Sequence, residues 1–142
     1  MSGFEQVLKT WRAAAVPLNP PASEADLRLL AAFLGDAVPP DLRALYSVAN
    51  GMVDYEMDDW YVFFWSIDRI TRERDVQVDG ARRWIAFADV LLYSWCFRFS
   101  PDGDRTRVRV DSTGEEFECL EDFLSRYASD PGSLDLFEAE RR

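Results

Sequence analysis

The segment LYSWCFRFSPDGDRTRVRVD, residues 92–111, decides how the rest of the chain is read. Tyr93, Trp95, Phe97 and Phe99 fall on one side of an extended backbone and Ser94, Cys96 and Arg98 on the other, the period-two alternation of a half-buried antiparallel strand. Ser100, Pro101, Asp102, Gly103 and Asp104 supply turn chemistry, after which Val108 and Val110 alternate with Arg107 and Arg109. A β-hairpin is therefore expected over 92–111.

Further strands are expected on both sides of it. Trp60 to Ile67 is a nearly unbroken aromatic and β-branched run, which predicts a strand covered on both faces, and Trp84 to Ala88 predicts a shorter one. Downstream, Thr113 and Gly114 turn the chain into a short strand around Phe117. Leu120, Phe123, Leu124 and Tyr127 then predict a helix that stops near Asp130, Pro131 and Gly132, with a short tail helix after it.

The first third of the chain reads as helical. Ser2 with Glu5 has capping-box spacing, and Phe4, Val7, Leu8 and Trp11 line one face of a helix running to about Ala15. Pro17, Pro20 and Pro21 cannot continue it. Ser23 with Asp26 caps a second helix whose Leu27, Leu29, Leu30, Phe33 and Leu34 form a stripe wide enough to predict burial on most sides, ended by Gly35. Pro39 and Pro40 open a third, with Leu42, Leu45, Tyr46 and Ala49 at helical spacing before Asn50 and Gly51.

With 142 residues, one domain spanning 1–142 is expected. No apolar run approaches the length needed to span a bilayer and the first residues lack signal-peptide order, so a cytoplasmic protein is expected. The net charge of -10 is uneven: residues 36–68 balance at -6, 69–111 at +2 and 112–142 at -6. Such a field repels phosphate backbones and attracts basic proteins, which argues against direct nucleic-acid binding. Arg105, Arg107 and Arg109 are read as partners of nearby acids, with Glu115, Glu116 and Glu118 as candidates.

Catalytic chemistry finds little support. The chain has no histidine, so the usual general base and histidine metal sites are excluded, and Cys96 and Cys119 form no CxxC pair. A carboxylate hydrolase is a distant alternative, because two acids among 26 can always be paired on paper. Asp102, Asp104 and Asp111 around Gly103 lack the ordered ligands of a calcium loop and read as a turn. No catalytic residue, metal or cofactor is expected.

The order of these motifs along the chain carries a resemblance. Pro21-Ala22-Ser23-Glu24 leading into an apolar helix, Leu34-Gly35, then Val38, Pro39, Asp41, Leu42, Leu45, Tyr46 and Asn50-Gly51 resembles the opening of SUKH domains. Ile85, Phe87, Ala88 and Asp89, an aromatic strand, a turn, a valine strand and a helix from Leu120 resemble the remainder, from about Leu8 to Tyr127 in all. One departure is that Asp89, Val90 and Leu91 stand where many relatives carry a glycine turn. The resemblance implies an α+β fold, a central, mainly antiparallel sheet flanked by N-terminal helices and a C-terminal helix. It also implies a non-catalytic, protein-binding role, as in bacterial immunity proteins that neutralise a toxin, often a nuclease, or in fungal cell-wall synthesis regulators. A regulatory scaffold or adaptor is the alternative.

The candidate contact segment is Asp54, Tyr55, Glu56, Met57, Asp58, Asp59, Trp60 and Tyr61, four acids and three aromatics without a base. Charge would speed and orient encounter with a basic toxin domain while buried rings supply affinity. In the competing reading Trp60 and Tyr61 begin a core strand and the acids only keep the loop soluble. A monomer or weak dimer with no membrane partner is expected.

Overall fold

A computed structural model describes residues 2–136; the tail residues 137–142, where part of the expected tail helix falls, lie outside the described residues. The elements in chain order are α1 (Gly3–Ala13), α2 (Glu24–Leu34), α3 (Pro40–Val48), β1 (Val62–Phe64), α4 (Ile67–Glu73), β2 (Val76–Asp79), β3 (Arg82–Val90), β4 (Trp95–Asp102), β5 (Arg105–Val110), β6 (Glu116–Phe117) and α5 (Leu120–Ser129). A short 3-10 turn, Pro131–Leu134, follows. The fold is α+β, an antiparallel six-stranded sheet with helices before it and one after it, as expected. Among the described residues no helix is long and apolar enough to cross a membrane.

The expected hairpin is β4–β5, with Phe97 opposite Val110 and Phe99 opposite Val108. Asp102 pairs with Arg105, leaving Gly103 and Asp104 as a two-residue connection. Gly103 sits at φ +65°, which glycine enters without Cβ strain. Two expectations are corrected. The strand begins at Trp95, because Leu91, Leu92 and Tyr93 are all left-handed and break the alternation. It is also buried on both faces: Cys96, Arg98 and Ser100 are as hidden as Phe97. Arg98 tolerates this because two aspartates hold its guanidinium. Its Nε donates to Asp111 at 2.8 Å and its Nη1 to the Asp75 carboxylate and carbonyl at 2.9 and 3.0 Å.

The expected strand over Trp60–Ile67 is shortened to three residues, for a local reason. Ser66 caps a helix that pattern reading missed, its Oγ accepting from Arg69 N–H at 3.1 Å. Trp65 N–H donates to Phe87 O, and Asp75 O accepts from Ala86 N–H, both at 2.9 Å. Trp65 and Asp75 therefore follow one another in the sheet, and residues 66–74 leave and rejoin a single edge of β3 shared by β1 and β2.

One face of the sheet carries the core. Phe64, Phe87 and Phe97 meet Phe123 and Tyr127 of α5 at ring separations from 4.9 to 6.2 Å, mostly edge to face. Burying each such ring is worth about 1.5–3 kcal/mol, so the α5 stripe predicted from Leu120, Phe123, Leu124 and Tyr127 is a main source of stability. α1 lies against α5, and Gly3 packs closely on Ser125 and Glu121. A Cβ there would collide with the backbone N of Ser125 and stand 2.5 Å from its Oγ. Gly3→Ala is expected to lower stability by about 1–3 kcal/mol in urea unfolding; an unchanged midpoint would mean that α1 can shift away at no cost.

α2 keeps its predicted capping box, Ser23 N–H to Asp26 at 2.9 Å and Asp26 N–H to Ser23 Oγ at 3.1 Å, and its left-handed Gly35 cap. Its predicted burial on most sides is corrected. Leu27, Leu30 and Leu34 are buried, but Leu29 is 46% exposed and Phe33 only partly covered, because α2 flanks the sheet and leaves one side open.

Candidate functional site

The segment from Asp54 to Tyr61 closes on itself through Asp58. Asp58 N–H donates to Val62 O and Tyr61 N–H to Asp58 O, each at 3.0 Å. The Asp58 carboxylate accepts from Trp60 N–H at 2.9 Å, Val62 N–H at 3.2 Å and Trp11 Nε1 at 3.3 Å, and also from the Tyr127 hydroxyl. It is buried, and burial pushes its carboxyl above the ordinary aspartate range despite those four donors. The expectation that Asp58 faces a partner is therefore corrected: its charge points into the junction of α1, α5 and β1. Trp60 and Tyr61 are half-buried, Trp60 packing against the core beside Trp11, and β1 begins only after them.

Met57 packs partly against the core, and the remaining side chains face outward. Asp54, Glu56 and Asp59 are exposed, and Tyr55 is 70% exposed. The Tyr55 ring lies 6.1 Å from Phe63 and 5.5 Å from the Arg69 guanidinium, which also stacks over Phe63 and Trp65. Arg69 is itself buried. Its Nε stands 3.2 Å from Glu73, close enough for an ion pair although the angle falls short of a hydrogen bond.

Beside this loop stands a second one that sequence reading assigned to a strand. Residues 91–94 join β3 to β4, and Leu91 N–H donates to Tyr61 O at 3.0 Å, tying the two loops together. Asp89 organises the turn from below, one oxygen accepting from Tyr93 N–H at 3.0 Å and the other from Trp65 Nε1 at 2.6 Å. The Tyr93 ring rests 5.4 Å from Trp65, and its hydroxyl donates to Asp75 at 2.6 Å. Leu92 is left 72% exposed. The two loops thus form a rim at one end of the sheet, with Tyr55, Leu92 and Tyr93 outward among Asp54, Glu56 and Asp59.

This rim concentrates backbone strain. Eight described non-glycine residues have positive φ, and five of them, Tyr55, Tyr61, Leu91, Leu92 and Tyr93, belong to it. Each such residue costs about 1–2 kcal/mol relative to an ordinary conformation. Residues held so at one place are over-determined by their surroundings, and such places are often contact sites. Sequence reasoning misses Leu92 and Tyr93 because alternation continues through them. The departure from the relatives' glycine turn at Asp89, Val90 and Leu91 is the one sequence signal, and Asp89 and Val90 remain in the strand.

The other candidate groups are not assembled into a reactive centre. Asp102 pairs with Arg107 at 3.4 Å and Asp111 with Arg98, so the acids around Gly103 do not converge. Arg109 ion-pairs with Asp79 at 3.6 Å and stacks over Trp84, although Glu116 is its neighbour in register; Glu115 is bound instead by Arg126 at 3.0 Å. Cys96 is buried and its thiol pushed up to about 12, so it carries no reactive thiolate.

Compared with known proteins, residues 21–126 match the SMI1 / KNR4 family (SUKH-1), about three quarters of the chain, and no curated protein matches it. The matched stretch begins after α1, which the resemblance had partly included, and holds both loops of the rim. With its helix–sheet order and its Pro21–Gly51 opening in place, the chain belongs to the SMI1/KNR4 (SUKH-1) family.

Proposed function

We propose that this protein is a non-catalytic immunity protein that neutralises a cognate toxin by laying its acidic rim over a basic surface of the toxin domain. Family membership supports a protein partner. The observation that carries the finer reading is the rim itself: exposed Tyr55, Leu92 and Tyr93 set among Asp54, Glu56 and Asp59. Aromatic and aliphatic groups of this kind supply affinity once desolvated, and the surrounding carboxylates steer and orient a basic partner. A basic substrate cleft covered in this way would exclude nucleic acid from a nuclease without any chemistry on the immunity protein's side.

Co-expression with the product of the adjacent toxin reading frame tests this. Tyr55→Ala with Leu92→Ala is expected to weaken binding by about 2 kcal/mol or more, roughly thirtyfold in Kd, and to reduce protection. Asp54→Lys, Glu56→Lys and Asp59→Lys together are expected to slow association about tenfold or more, with the deficit shrinking at high salt. The three acids lie outside the core, so the lysine variant retains the parent's unfolding midpoint, while Tyr55→Ala also loses its stacking on Phe63 and Arg69 and its midpoint is measured beside its Kd. Full protection by both variants would sink the rim reading. The absence of any toxin gene beside this one would favour the regulatory adaptor.

A further inference from the structure

We propose a second docking surface, independent of the rim: the free edge of β2, which takes an extended acidic segment of another protein as an added strand. β2 pairs with β3 on one side, and among the described residues no strand pairs with its other side. The bond from Ala86 N–H to Asp75 O fixes the ladder's parity, because the paired residues Asp75 and Ala86, Gln77 and Trp84, and Asp79 and Arg82 exchange hydrogen bonds. The N–H and C=O groups of Val76 and Val78 therefore point away from the sheet. Proteins usually guard such an edge with charge or proline. Here Val78 stands 73% exposed.

The side chains around that edge specify what it takes. Val78 and Arg83 are cross-strand neighbours. The guanidinium groups of Arg83 and Arg74 lie 5.9 and 5.8 Å from the ring of Phe33 on α2, and Leu29, one helical turn earlier on the same helix, is partly exposed. The result is an apolar strip flanked by two cations on a chain of net charge -10.

Asp36, Asp79 and Asp102 line the same groove as Arg83, but among the described residues no acid forms an ion pair with either cation. Asp75 is held by Arg98 and Tyr93, Asp79 by Arg109, Glu73 by Arg69 and Asp68 by Arg72, whereas among the described residues Arg74 and Arg83 have no carboxylate partner. A strand that alternates acidic and apolar residues would bond its backbone to Val76 and Val78 and set the carboxylates of one face by Arg74 and Arg83, their methylenes lying over Val78 and Phe33 on that same face, while its apolar residues turn to the opposite face of the sheet. A basic segment would be repelled by the same pair.

The probe is a short capped peptide of alternating glutamate and valine, titrated into the isotopically labelled full chain and compared with one in which lysine replaces glutamate. The glutamate peptide is expected to move the amide resonances of Val76 to Asp79 and leave those of Tyr55 and Leu92 in place. Arg74→Asn with Arg83→Glu is expected to weaken it about tenfold, asparagine being tolerated at the left-handed Arg74 position. Val78→Pro removes one outward N–H and should abolish the β2 shifts, while Val78→Glu keeps the strand, sets a like charge against the peptide's carboxylates, and is expected to weaken binding severalfold if the proline variant does not fold. Equal binding of the lysine peptide, shifts confined to the rim, no shifts at all, or a glutamate peptide indifferent to the arginine substitutions would each overturn the proposal. So would a concentration-dependent doubling of mass without peptide that Val78→Pro abolishes, which would give the edge to a second copy of this chain. None of these readouts involves a toxin, so the rim reading stands or falls separately.

Discussion

Gly51→Ala is expected to lower folding stability by about 3–5 kcal/mol. Two independent costs coincide there. Gly51 follows α3 with φ +72°, where any Cβ is strained by about 1–2 kcal/mol. The added carbon would also stand 2.5 Å from the carbonyl carbon and oxygen of Trp65 and 2.6 Å from Ser66 N. These are backbone atoms at the departure point of α4, so no side-chain rotation can relieve the overlap.

The surrounding bonds make the junction stiff. Asn50 accepts from Ile67 N–H at 2.9 Å, Met52 N–H donates to Phe64 O at 2.8 Å, and the Tyr46 hydroxyl donates to Trp65 O at 2.9 Å. Gly35→Ala is the control, because Gly35 has φ +77° but a Cβ added there would meet nothing within 4 Å. Urea unfolding of the two variants separates strain from collision. If Gly51→Ala costs no more than Gly35→Ala, the close approach to Trp65 has no energetic weight.

Asp58→Ala is expected to cost a similar amount, about 3–5 kcal/mol, through loss of a shared acceptor. Four donors converge on that carboxylate: two backbone N–H groups of its own turn, the indole of Trp11 on α1 and the hydroxyl of Tyr127 on α5. Alanine would leave them buried without a partner. Asp58→Asn keeps one carbonyl oxygen for the backbone donors and is expected to cost less, about 1–2 kcal/mol, because its amide cannot accept from Trp11.

Titration gives Asp58 a distinctive sign. Burial raises its folded-state value above the unfolded one, so between those two values the folded chain holds a proton that the unfolded chain has released. Its contribution is thus fully present below the unfolded value and is lost as pH rises through the folded one. Asp75 behaves oppositely: burial pushes it up, but hydrogen bonds from Tyr93 and Arg98 and the charge of Arg98 bring it below its ordinary value. Its stabilisation is lost as pH falls. Comparing urea midpoints of the parent and Asp58→Asn across mildly acidic pH should show the parent gaining on the variant as pH falls. A constant difference would mean that Asp58 titrates normally.

The same aspartate shows how much of the site was legible. Within Asp54–Tyr61 the density of acids and rings marked the loop, but nothing in the order of residues distinguishes Asp58 from Asp59. One lies under Trp11 and Tyr127 and the other faces solvent, and the distinction depends on helices from opposite ends of the chain. Leu92 and Tyr93 were hidden for a different reason: alternation reports side-chain pattern, whereas three consecutive left-handed residues are imposed by Asp89 and by the Tyr61 carbonyl. α4 escaped because its apolar residues continue an aromatic run, and the Ser66 cap carries the only local cue.

Near neighbours along the chain were enough to specify the capped helices α1 and α2, the proline-opened α3, the β4–β5 hairpin with its glycine turn, the α5 stripe, and through their order the family. Which polar groups are satisfied internally and which side chains stay exposed was settled only by the closed fold. Asp58, Asp75 and Arg98 are consumed inside it; Tyr55, Leu92 and the two arginines around Phe33 are not. A polar group is worth burying only when its partners arrive from elsewhere in the chain, and those arrivals exist only once the sheet and its helices have come together.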